Sequence, residues 1–131
     1  MTTIPTRTEP PIELDAFLAR CLGRVDLMEC MLTSFRAGIH ADCQQLQEAV
    51  ASRDLERIAQ LAHKVKGASA TVAAKPLSQI AAQFEDVARF GDPNQISDCA
   101  TELFHELDRV ERMIASVAGT EASQSEEEVA S

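Results

Sequence analysis

Tryptophan and tyrosine are absent from the chain, and five phenylalanines are its only aromatic side chains. A core built on large aromatic rings is thereby excluded. Ala, Leu, Val and Ile must fill it, and the 45% hydrophobic content is normal for a globular chain. Basic residues are in the minority: twelve Lys and Arg face twenty-one Asp and Glu, a net charge of −9. Long-range attraction to nucleic acid or to an anionic membrane then has the wrong sign, so neither is expected as the main partner. Nowhere do about 18 apolar residues run together, and Met1 precedes a polar, proline-bearing start instead of a basic and then apolar run. No membrane span and no secretory signal are expected, and the chain reads as soluble and cytoplasmic. The four cysteines, Cys21, Cys30, Cys43 and Cys99, form no CxxC pair and lack the dense spacing of a stapled secreted domain. They are expected as reduced thiols, each on or beside an apolar helical stripe, where free cysteine acts as a small buried hydrophobe.

A length of 131 residues suits one domain with a single core of modest size. Residues 1–11 hold three prolines and are expected as an extended leader. Residues 120–131 carry four Glu and almost nothing to bury, the composition of a disordered acidic tail. The ordered body is expected over residues 12–119. No segment of it alternates apolar and polar residues long enough for a strand.

A short first helix is expected from Ile12 to Leu22, ended by Gly23. In a long second helix Val25, Met28, Leu32, Phe35, Ile39, Cys43, Leu46 and Val50 step by threes and fours. Asp54 is placed to cap a third helix with the stripe Leu55, Ile58, Ala62, Val65, Ser69 and Val72, which ends near Ala73 and Ala74. Pro76 fits the first turn of a fourth helix, closed by Gly91. Asp92 and Pro93 open a fifth. Four long helices on short links, each with one apolar face, pack as antiparallel neighbours. The expected class is all-α, an antiparallel four-helix bundle with a short extra N-terminal helix capping one end.

The informative segment runs from Ala62 to Ser69. On a wheel advancing about 100° per residue, His63 lies about 120° from the middle of the third helix's apolar stripe, on the wet flank. Its neighbours there are Ala59, Lys66, Gly67 and Ala70, three of the four nearly free of side chain. A flat surface carrying one exposed nucleophilic nitrogen suits a docking protein. Gly67 sharpens the point, because glycine inside a helix costs about 1 kcal/mol relative to alanine. Lys66 supplies an ammonium one turn along, able to pair with a phosphoryl group on the ring. Arg53, Arg57, Lys64, Lys66 and Lys75 face only Asp54 and Glu56 over residues 53–75, a positive patch within an acidic chain. Ser69 is expected to be structural, its hydroxyl bonding back to the Val65 carbonyl.

The run AHKVKGASATVAAKPL, followed by the Phe84-Glu85 pair, resembles the histidine-containing phosphotransfer (HPt) domain of bacterial multistep phosphorelays. That family's signature is a histidine followed by x-x-Lys-Gly on an exposed helix of a four-helix bundle. The resemblance covers residues 14 to 115 loosely and departs at Ala73, where the family often has a glycine closing the helix. It implies a carrier without kinase activity of its own. His63 would accept a phosphoryl group from a receiver domain's aspartyl phosphate and pass it to another receiver aspartate, with Lys66 stabilising the group. Ala59, Lys64, Gly67 and Ala70 would form the docking surface. The implied partners are receiver domains of response regulators or of hybrid histidine kinases, and any Mg²⁺ would sit on the receiver. No GxxxxGK[ST] loop or other glycine-rich phosphate cradle is present, so no cofactor of the chain's own is expected. A free-standing, monomeric shuttle is the expected form.

Two other readings stand beside this one. A metal site would draw on His40 and Cys43, one turn apart, with Cys99 or His105 from the fifth helix. A phosphate-independent adaptor would use the same flat flank to dock receiver or other signalling proteins without being modified.

Overall fold

Apolar residues at spacings of three and four bury one face of each segment as a helix. In the computed structural model these helices are α1 (Leu14–Arg20), α2 (Val25–Ser52), α3 (Leu55–Thr71), α4 (Lys75–Phe90) and α5 (Ile96–Ala130), with a 3₁₀ turn at Pro93–Gln95 before α5. The structure describes residues 9–130, with side chains up to Val117. Among the described residues there is no strand. Helices α2 to α5 form the all-α antiparallel bundle. Contact is most extensive between α3 and α4, then between α2 and α3 and between α4 and α5, with a lighter α2–α5 seam closing the ring. Leu46, Ile58, Val65, Phe84 and Leu103 meet in its fully buried centre.

The short helix α1 caps one end, with Ile12 and Phe17 driven into the core. Its lid position is held by polar bonds to the α3–α4 turn: the Glu13 amide donates to the Ala73 carbonyl at 3.0 Å, and the Arg20 guanidinium donates to the Ala70 carbonyl at 2.9 Å. The helix is shorter than the expected Ile12–Leu22, because Leu22 and Gly23 both take positive φ, 58° and 75°, and turn the chain into α2. At residues 9–11 the expected leader lies against α5, where the Arg109 guanidinium donates to the Glu9 carbonyl at 2.9 Å. Its first eight residues lie outside the described ones.

Three helices end in the same way. After α1, α2 and α3 the residue in the left-handed region is Leu22, Arg53 or Ala73, and the next amide bonds back five residues, to Leu18, Ala49 and Ser69 respectively. Asp54 caps α3 as expected, its carboxylate accepting from the Arg57 amide at 3.2 Å. Asp92 accepts from the Asn94 amide at 3.0 Å, but it opens the 3₁₀ turn, and α5 starts only at Ile96.

Some expectations need correction. Val25 opens α2 at the mouth of the bundle and is 51% exposed, so it is not part of the buried stripe. Cys21 and Cys43 are buried as expected, but Cys99 is only half-buried and Cys30 is exposed, because it falls on the outer side of α2. Helix α5 extends as backbone to Ala130, over most of the segment expected as a disordered acidic tail; the side chains of that segment lie outside the described ones.

Candidate functional site

The α3–α4 interface builds the site. With α2 on one side and α4 on the other, α3 buries a wider arc than a single stripe, and Ala59 and Leu61 on the two margins of the stripe are both covered. His63 lies just outside that arc, and its side chain is 61% exposed. The ring is not free to turn, however. Its Nδ1 stands 3.2 Å from both carboxylate oxygens of Glu85, which α4 presents across the interface with its side chain only 11% exposed.

Glu85 is the hub of a four-residue cluster. Lys66 Nζ lies 3.5 Å from its Oε1, and Arg89 Nε donates to its Oε2 at 3.1 Å from one turn further along α4. Burial pushes the Glu85 carboxyl up. The hydrogen bonds from His63 and Arg89, with the charges of His63 and Lys66, outweigh that and hold it below its ordinary value. At neutral pH it is therefore an ionised carboxylate, which can only accept. The proton of a neutral His63 ring then belongs on Nδ1, donated to Glu85, and the lone pair is left on Nε2, which has no partner among the described residues.

The surroundings of the ring sort the expected docking residues. Gly67 and Ala70 are exposed on the same flank, and a Cβ built on Gly67 meets nothing within 4 Å. The fold itself therefore does not require glycine there. Ala59 is 1% exposed and lies beneath the surface, because α4 packs over that margin of α3. Lys64 is not a loose surface cation: its ammonium sits 3.1 Å from Oδ1 of Asp42, a buried carboxylate of α2. The Ser69 hydroxyl is fully buried with no hydrogen-bond partner, so the expected bond to the Val65 carbonyl is not made.

The residues of the metal reading do not converge. His40 and Cys43 line one groove between α2 and α5 with Asp108 and Glu111, but among the described residues no three His, Cys, Asp or Glu side chains are placed to hold an ion. The Cys43 thiol is pushed up to about 12 by burial, with Asp42 and Glu111 adding to it, so the thiolate a metal needs is disfavoured.

Residues 31–119 match the family model of the Hpt domain, which is well over half of the chain. The chain belongs to the Hpt domain family. The matched span contains α3 and α4 entire, and with them all four members of the Glu85 cluster. Comparison with curated proteins and with solved structures gives no match. Hpt domains are phosphotransfer carriers of two-component relays, so the exposed imidazole of this Hpt domain sits in a fold built for that work.

Two members of the cluster escaped the sequence reading. Glu85 entered it only as one half of the Phe84-Glu85 pair, and Arg89 not at all. A signal was present: Glu85 adjoins the apolar positions Ile80, Ala81, Phe84 and Ala88 of α4, and a basic residue follows it four places on. An acid at the rim of a buried face with a cation one turn away implies a partner across the interface. Helical spacing within α4 does not say which residue of α3 that partner is.

Proposed function

We propose that this Hpt domain carries a phosphoryl group on Nε2 of His63, taken from the aspartyl phosphate of one receiver domain and given to the aspartate of another. The observation that supports this most directly is the ring itself: exposed, anchored at Nδ1 by Glu85, and with its nucleophilic nitrogen unoccupied. In the forward step the Nε2 lone pair attacks phosphorus, the P–O bond to the receiver's aspartate breaks, and the carboxylate leaves with its electron pair. The ring keeps its Nδ1 proton and becomes cationic, facing the Glu85 carboxylate. Return to a second receiver reverses these bonds. Lys66 is paired with the same carboxylate that anchors the ring and supplies counter-charge for the phosphoryl group, and the exposed Gly67 and Ala70 leave room for the receiver to approach. A divalent cation on the receiver would polarise the transferring group; this chain provides the acceptor, its orientation and part of the counter-charge.

Incubation with a panel of phosphorylated receiver domains tests the reading. Label is expected to move onto the protein, to be lost in acid and kept in alkali as a phosphoramidate is, and to vanish in His63→Gln. Receivers that bind the wild type without transferring to it would establish the adaptor reading in its place.

A further inference from the structure

Glu85 satisfies the imidazole and both cations at once. Its Oε2 lies 3.2 Å from His63 Nδ1 and 3.1 Å from Arg89 Nε, so the guanidinium stands one oxygen atom away from the ring. Its Oε1 is shared with Lys66, which reaches it from α3. With the ring neutral, the four groups carry one net positive charge, and a dianion arriving on Nε2 would meet a surplus of cation.

Arg89 is not consumed by its present bond. A guanidinium has five donors, and only Nε–H is engaged among the described residues. Its side chain is 42% exposed and that of Lys66 38%, so both heads reach solvent and can move. The ion pair that joins Arg89 to Glu85 is held at one oxygen and its cationic head is in contact with water, so the guanidinium can exchange partner while the carboxylate stays in place. A phosphoryl group offers three charged oxygens in the geometry a guanidinium fork fits.

We infer that Arg89 is a second phosphoryl ligand of this site and that Glu85 holds it in reserve. On phosphorylation of Nε2, Arg89 and Lys66 change partner from the carboxylate to the phosphoryl oxygens, and Glu85 is left to the Nδ1–H of the cationic ring. When the group departs, Glu85 takes both cations back. Such an arrangement eases onward transfer, since the carboxylate offers both cations an alternative partner as the phosphoryl group leaves. The inference rests on the phosphotransfer reading of His63.

Its test needs no partner protein. The full chain is treated with phosphoramidate, whose P–N bond breaks with release of ammonia as the bond from phosphorus to Nε2 forms. Phosphorus NMR then follows the ionisation of the bound phosphoryl group with pH, in the wild type and in Arg89→Gln. The second ionisation is expected to lie higher in the variant, by on the order of one pH unit, because a cation within a few ångströms favours the dianion. The Arg89 Nε–H resonance of the wild type is expected to move on phosphorylation as its acceptor changes. Equal titrations of the two proteins overturn the role of Arg89. So does an Nε–H resonance that stays in place, and that measurement decides the matter even if Arg89→Gln fails to fold. Uptake on His63 with either of these results sinks this inference alone, whereas a wild type that takes up no phosphoryl group on His63 overturns the transfer reading and this inference with it.

Discussion

At the scale of single residues, the Glu85 carboxylate decides what His63 can do, and its ionisation should be visible in stability. The folded state holds this carboxyl below its ordinary value, so the contribution is present above that ordinary value of 4.5 and is lost as pH falls through the lower folded value. Glu85→Gln should therefore lose less stability than the wild type between about pH 7 and about pH 3, as read from urea midpoints; parallel losses would show that the cluster does not favour the ionised form. Asp42 offers a second case. Its buried carboxylate relies on the ammonium of Lys64, which is itself largely in solvent, so Lys64→Ala should cost about 1 kcal/mol by urea unfolding. An unchanged midpoint would show the pair to be incidental. The wheel placed His63 outside the buried arc because the ring lies about 120° from the middle of the apolar stripe, far enough that α4 does not cover it as it covers Ala59. It could not show that Lys66 and Lys64 already have carboxylate partners, since those partners come from α4 and α2.

At the scale of elements, the helix ends carry the physics that spacing alone leaves out. Leu22, Arg53 and Ala73 each take a left-handed conformation that costs about 1–2 kcal/mol outside glycine. Arg53 is exposed, so Arg53→Gly removes that strain and gives back only the extra freedom of the unfolded chain, about 0.4–1 kcal/mol. A net gain of about 0.5–1 kcal/mol is expected. At Ala73 a buried methyl, about 0.8 kcal/mol of burial, is lost as well, so Ala73→Gly should be close to neutral. Urea denaturation of both variants checks the contrast, and equal gains would mean that the Ala73 methyl packs against nothing useful. The departure from the family at Ala73 is thus a local matter: alanine closes α3 with the backbone turn expected of glycine and fills a place in the core. Asp54 was readable as the cap of α3 because a cap is a bond between near neighbours in the chain; Asp92 makes such a bond too, but to the 3₁₀ turn and not to α5.

At the scale of the whole molecule, the bundle presents α3 with one flank under α4 and the adjoining flank open. Gly67 lies on the open flank with nothing above it. Gly67→Leu should therefore raise the stability of the isolated protein by about 0.8 kcal/mol through helix propensity, while slowing transfer from a receiver by on the order of a hundredfold through misplacement of the reacting groups. Opposite signs in the two measurements separate a docking role from a folding one. An unchanged transfer rate would refute the close-approach argument. The helices, their order, the bundle class and the outward place of His63 were legible along the chain, because each follows from periodicity within one segment. That Ala59 is covered, that Lys64 belongs to Asp42, and that Glu85 gathers His63, Lys66 and Arg89 around one carboxylate came from the packing of helix on helix. These facts depend on the rotation and offset of one helix against another, which the packing of the whole core sets and no single segment encodes.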